Sequence, residues 1–147
     1  MLSENTGLPE IPHRSHDGLL RTKLHRPVAE GDFVCRPRLH EVLDQPLDTP
    51  LTVVSAPAGY GKSLLVSQWV DSQDVPFAWL SLDESDSAAD IFVDYLLAAV
   101  ETVVPDACPQ TRRMARAADP PTLSVLGDSL VNELDVLGSP LVLVLDD

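Results

Sequence analysis

Ala56-Pro57-Ala58-Gly59-Tyr60-Gly61-Lys62-Ser63 is the stretch on which the reading of this chain turns. It matches the phosphate-binding loop pattern Gly-x-x-x-x-Gly-Lys-Ser/Thr at every defined position but the first, where Ala56 stands in place of glycine. The residue types follow from the chemistry. A loop that enters a helix can aim successive backbone N–H groups into one concavity, where they act with the positive end of the helix dipole on a phosphate chain. Gly59 and Gly61 supply the backbone angles and the close approach that such a cradle needs. Lys62 is expected to reach the β- and γ-phosphates, and the Ser63 hydroxyl to ligate Mg²⁺. The competing reading is an ordinary turn in which the two glycines only cap and Lys62 is solvated.

Working outward, Leu51-Thr52-Val53-Val54-Ser55 before the loop is a short β-branched run of the kind that forms a buried parallel strand. Leu64 to Val70 after it reads as a helix, with Leu65 and Trp69 one turn apart. Val75 to Leu82 suggests a second strand with Pro76 at its entry, and Asp83-Glu84-Ser85-Asp86 a solvated acidic exit loop. Residues 89 to 104 carry apolar side chains at helical spacing until Pro105. The stretch from Pro109 to Pro121, with Arg112, Arg113 and Arg116, reads as a solvated connection. A helix from about Thr122 places Leu123, Leu126, Leu130 and Leu134 on one stripe, and Gly138 suits its end.

The last run, Leu141-Val142-Leu143-Val144-Leu145-Asp146-Asp147, is a strand that ends in carboxylates. Paired with the glycine loop it would be the second half of a nucleotide site. Asp146 would then hold the metal, usually through water, and Asp147 could polarise an attacking water or act as an acid one step out from the metal. Helical segments between apolar strands predict an α/β fold built on a parallel sheet with flanking helices, of the P-loop NTPase type and incomplete at its C-terminal side.

Composition sets the outer bounds. The chain has 147 residues, enough for one ordinary domain, and 44% of them are hydrophobic, which excludes a wholly disordered chain. Ten Lys and Arg stand against 23 Asp and Glu, a net charge of -13. Residues 1 to 45 carry a net of only -1, and residues 46 to 147 a net of -12. Phosphate neutralisation by basic side chains supplies most affinity for nucleic acid, so the second part is a poor candidate for holding DNA itself. From Leu39 to Thr111 the single basic residue is Lys62, inside the glycine loop.

Residues 1 to 18 lack apolar periodicity and read as a mobile lead-in, which leaves 19 to 147 as the folded unit. Leu20 to Pro27 reads as extended, and Pro37 to Leu43 as a short helix with proline in its first turn. Cys35 and Cys108 read as reduced thiols, and the four histidines as solvated. No apolar run reaches the roughly 20 residues of a membrane helix. A soluble, cytoplasmic chain without membrane partners is expected.

Several of these stretches coincide with a known pattern. Lys23-Leu24-His25-Arg26-Pro27, Val34-Cys35-Arg36-Pro37-Arg38-Leu39, the loop from Ser55 to Ser63, Gln68-Trp69, Trp79-Leu80-Ser81-Leu82-Asp83 and Leu145-Asp146-Asp147 together resemble the large ATP-binding LuxR-type transcriptional regulators. These are the MalT-like members of the STAND class of signalling ATPases, and the resemblance runs from about Leu19 to the last residue.

The resemblance implies ATP or ADP with Mg²⁺ as ligand, at a Walker A site of Pro57, Ala58, Gly59, Tyr60, Gly61, Lys62, Ser63 and Leu64. Val34 to Arg38 would fold over the adenine and ribose, with Arg36 the arginine near the nucleotide. Ser63 and Asp146 would be the metal residues and Asp147 the catalytic one, giving at most a slow ATPase in a complete domain. Such regulators continue into a winged-helix element, a helical-repeat sensor and a C-terminal helix-turn-helix, through which alone DNA would be bound. The whole regulator could self-associate. The resemblance also implies that a later strand sits between the loop strand and the Asp146 strand, so this chain is expected to show exposed sheet edges and a gap there. Two other readings stay open at this point, a P-loop phosphotransferase or kinase, and an incomplete, non-catalytic piece.

Overall fold

The structure is a computed structural model that describes residues 18–28, 36–44 and 51–147. Residues 1 to 17 of the expected lead-in, Cys35 and the nucleotide-facing expectation for Val34 lie outside these residues.

Five helices and two strands make up the described chain. In order they are α1 (Pro37–Leu43), α2 (Lys62–Asp71), β1 (Phe77–Ser81), α3 (Ala89–Glu101), α4 (Pro109–Ala115), α5 (Leu123–Val136) and β2 (Val142–Asp146). One 3-10 turn, Arg21–Leu24, precedes α1, and another, Glu84–Ser87, follows β1. β1 and β2 pair in parallel, with Phe77 opposite Val142 and Ser81 opposite Asp146. Parallel strands need a long crossover, and α3, α4 and α5 form it here. The described chain is thus α/β, as expected.

α3 is the wall on which the core is built. Seven of its residues are buried, which spreads its apolar surface around the helix instead of along one stripe. On one side Val93, Leu97 and Val100 pack with Cys108 of the loop before α4 and with Leu126 of α5. On the other, Tyr95 and Ala99 pack with Ala78 and Leu80 of β1, and Leu19 and Leu24 close that cluster from the N-terminal side. Trp79 and Leu80 are among the most deeply buried large side chains, at 1% and 0% exposure. Burial of that kind contributes on the order of 2 kcal/mol per large apolar side chain. α1 is tied to α2 by Asp44, whose Oδ1 accepts from Trp69 Nε1 and from Gln73 Nε2, each at 2.8 Å. Trp69 and Trp79 are core residues, as read from sequence.

Four expectations are corrected. Leu51 to Ser55 has no regular secondary structure and joins no sheet, and Leu51 and Val53 are 75% and 77% exposed. A β-branched run becomes a strand only when a neighbour takes up its N–H and C=O groups, and here a cleft of about 390 Å³ separates it from β2. Leu51, Thr52 and Val54 line one wall of that cleft and Leu141 to Asp147 the other.

The Pro109 to Pro121 connection contains α4. Its Arg112 is paired with Glu101 at the end of α3, so this arginine belongs to the interior and not to a solvated loop. Thr111, 1% exposed, donates to the Glu133 carboxylate of α5 at 2.6 Å.

The acidic exit loop after β1 is partly buried as well. Asp86 is 5% exposed and bonded to Lys23. Arg21–Leu24, read from sequence as part of an extended segment, is correspondingly a turn, with extended residues Leu20 and His25 on either side of it.

Candidate functional site

The glycine loop lies where the sequence places it relative to α2. Gly59 and Gly61 have φ of 80° and 77°, the left-handed region that L side chains rarely adopt, and Gly61 is the N-cap of α2. No atom lies within 4 Å of the position a Cβ would take at either glycine, so the space beside the backbone is open. The Tyr60 N–H donates to the Pro57 carbonyl at 3.4 Å, closing the turn, and the Leu65 N–H to the Gly61 carbonyl at 3.0 Å, starting the helix.

A concavity of about 360 Å³ opens at this junction, lined by Ala58, Gly59, Gly61, Lys62, Ser63, Leu64 and Asp147. Six of its seven lining residues therefore come from the loop and the first turn of α2, and the seventh from beyond β2. The amides at the start of α2 have no intrahelical acceptor, which gives this end of the concavity a partial positive charge.

β2 brings the carboxylates. Ser63 Oγ donates to Asp146 Oδ1 at 2.7 Å. Lys62 Nζ donates to the Ala56 carbonyl at 3.2 Å and lies 3.7 Å from Asp147 Oδ1. The Asp147 side chain is 87% exposed, so this ion pair is loose and screened by solvent. Lys62 thus has a weak hold on either partner and can be recruited by a more highly charged anion.

The structure gathers Ala58, Gly59, Gly61, Lys62, Ser63, Leu64, Asp146 and Asp147 into one place. Pro57 and Tyr60 shape the turn without lining the concavity. Arg36 does not line it either: it is exposed at the start of α1, where its carbonyl accepts from Leu39 and His40 N–H groups. Among the described residues no group of three or more His, Cys, Asp or Glu is arranged to hold a metal. Ser63 with Asp146 is a mixed hydroxyl and carboxylate set of the hard oxygen kind that suits Mg²⁺.

Sequence reading missed the buried partners at the turn after β1. Lys23 is 8% exposed and lies 2.8 Å from Asp83 Oδ2 and 2.6 Å from Asp86 Oδ2. Burial opposes charge on Lys23, but the hydrogen bonds it donates to Asp83 and Asp86 outweigh it and raise its pKa above the ordinary value. The Lys23 ammonium, with Ser85, lowers Asp83 to about 2. A usable signal was present, since Asp83-Glu84-Ser85-Asp86 has the Asp-x-x-Asp spacing of a capping box, and the structure contains that box.

No family model matches the chain. Over 129 residues, 88% of its length, it is 37% identical to the HTH-type transcriptional regulator MalT of Yersinia pestis (strain Pestoides F) and to that of Yersinia pseudotuberculosis serotype O:1b (strain IP 31758). The MalT of Yersinia enterocolitica serotype O:8 is equally similar, at 37% over the same length. The chain spans 14% of the length of these relatives. In sequence this is a MalT-like chain, alike over 129 of its residues to part of a regulator far longer than itself.

Proposed function

We propose that this chain is the nucleotide-binding part of a transcriptional regulator, with ATP or ADP and Mg²⁺ as ligands, on a P-loop NTPase-type α/β frame. The observation that carries the reading is the hydrogen bond to Asp146 from Ser63, a residue that lines the glycine-loop concavity. It sets the one hydroxyl and the one carboxylate that a phosphate-bound Mg²⁺ needs side by side, at the end of the loop whose amides suit the phosphates.

The residues fit the ligand. Open space over Gly59 and Gly61 admits phosphate oxygens to within hydrogen-bonding distance of the backbone. Lys62 exchanges the Ala56 carbonyl and the exposed Asp147 for phosphate, a stronger partner for an ammonium. Ser63 and Asp146 hold the metal, which neutralises phosphate charge when bound. Asp147 faces the concavity from the far side, where a carboxylate can orient water.

The likeness to regulators named HTH-type supports transcription control as the output. The net of -12 over residues 46 to 147 leaves DNA contact to other parts of such a protein. Differential contact with the γ-phosphate would let nucleotide state set conformation.

The test is titration of the chain and of Lys62→Ala with Mg-ATP and Mg-ADP, with phosphate release followed alongside. Binding by the chain, lost at least ~10-fold in Lys62→Ala with little or no turnover, supports the reading. Absence of binding by the unmodified chain overturns it, and phosphoryl transfer to an added small acceptor replaces it with a phosphotransferase.

A further inference from the structure

The N-terminal segment is held to the far end of β1 by a buried cation. Lys23 Nζ donates to Asp86 Oδ1 and Oδ2 at 2.7 and 2.6 Å and lies 2.8 Å from Asp83 Oδ2. Lys23 and Asp86 are 8% and 5% exposed, and charges that deep persist only when matched. Here three carboxylate oxygens meet the three ammonium protons.

The same carboxylates shape the chain that leaves β1. Asp86 Oδ2 accepts the Asp83 N–H at 2.8 Å, and Asp83 Oδ1 accepts the Ser85 N–H at 2.8 Å. One residue earlier, the Leu82 N–H donates to the Asp146 carbonyl at 2.6 Å, extending the ladder past the paired Ser81 and Asp146. Asp146 then reaches Ser63 with its side chain. A continuous run of hydrogen bonds and chain thus joins Lys23 to Ser63, through Asp86, Asp83, Leu82 and Asp146.

We propose that Lys23 is a positioning residue for the metal end of the nucleotide site. By locking the Asp83–Asp86 turn it fixes the Leu82–Asp146 rung, and that rung sets where the Asp146 carboxylate meets Ser63. The proposal rests on the nucleotide reading given above.

The rest of the brace has its own anchors. The Leu20 N–H donates to the Tyr95 hydroxyl at 3.1 Å, and Arg26 donates to the Ser67 hydroxyl at 3.0 Å. Loss of the Lys23 charge therefore loosens the turn after β1 while the segment stays docked.

The test uses Lys23→Met in the whole chain, with two readouts. Amide exchange by NMR is expected to quicken at Leu82 at least ~10-fold while the mid-sheet Leu80 and Val144 amides keep their protection. ATP titrations are expected to show affinity in EDTA unchanged and the Mg²⁺ concentration for half-maximal enhancement raised ~10-fold, the size typical of losing a group that orients a metal ligand. Lys62→Ala, in contrast, weakens binding with and without metal.

Unchanged exchange at Leu82 overturns the proposal, as does an equal loss of protection at Leu82, Leu80 and Val144, which marks a general stabilising role. An unaltered Mg²⁺ requirement overturns it too. An unmodified chain that binds no nucleotide sinks the site reading, and the exchange arm then still decides whether Lys23 holds the rung. Should Lys23→Met fail to fold, Asp83→Asn keeps the Lys23–Asp86 pair and is expected to move both readouts the same way by less; no change in either overturns the proposal.

Discussion

Ser63 and Asp146 are 83 positions apart in sequence and 2.7 Å apart in space, the hydroxyl of one donating to the carboxylate of the other. That contact joins the first turn of α2 to the end of β2, so the two halves of the candidate site are set by strand pairing and not by the loop alone.

Asp146→Asn tests the metal end by itself. The amide still accepts the Ser63 proton but carries no charge for Mg²⁺. Affinity for Mg-ATP is expected to fall ~10-fold or more, and affinity for ATP in EDTA to hold or rise, because a carboxylate near the phosphates is gone. Calorimetric titration with and without Mg²⁺ checks both. An equal fall in the two conditions would place Asp146 outside the metal's reach.

Gly61→Ala separates backbone strain from steric blocking. At φ of 77° an alanine is strained by about 1 to 2 kcal/mol, although no atom stands in the way of its Cβ. Urea denaturation is expected to show that modest loss. Nucleotide affinity is expected to fall further than stability does, because the methyl group occupies space at the concavity Gly61 lines.

Stability should respond to acid through Asp83. Its pKa is lowered from 3.8 to about 2 in the folded chain, chiefly by the hydrogen bond from Lys23. A depressed carboxylate stabilises the fold above its unfolded pKa and loses that effect as pH falls through its folded one. The difference in urea midpoint between the chain and Asp83→Asn is therefore expected to be constant from pH 7 to 5 and to shrink between about pH 4 and 2. Lys23, whose pKa is raised, gives the mirror effect: its contribution is present below 10.5 and is lost only in stronger alkali.

Cys108 is expected to be chemically silent. It is 1% exposed, and burial, with a smaller push from Glu133, raises its thiol to about 11. In a Cys35→Ser background, reaction with a disulfide reagent at pH 8 should run at least ~100-fold slower in the native chain than in denaturant, since the thiolate is the reactive species. A fast native reaction would mean that the α3–α4 packing opens readily.

Local pattern carried much of this protein. Gly59, Gly61, Lys62 and Ser63 announce a loop at a helix start because their spacing encodes the turn itself, and the left-handed angles at both glycines follow. Pro37 marks the first turn of α1, and Gly138, at φ 64°, lies just past the end of α5. α4 was legible by the same rule that found α1, since Pro109 is its first residue, but Arg112, Arg113 and Arg116 made the stretch read as a solvated connection.

What the tertiary structure alone decided is which segments became neighbours. The β-branched run at Leu51 to Ser55 and the run at Val142 to Asp146 look alike as sequence, yet only the second is a strand, because β1 supplies hydrogen-bonding partners to it and a cleft lies between it and the first. Lys23 and Asp86 are each ordinary surface residues by type. Burial against α3 and β1 is what makes them a matched pair. Periodicity and turn chemistry are properties of neighbours along the chain and can be read from it. Strand pairing and charge burial depend on contacts between distant residues, and those exist only once the chain has folded.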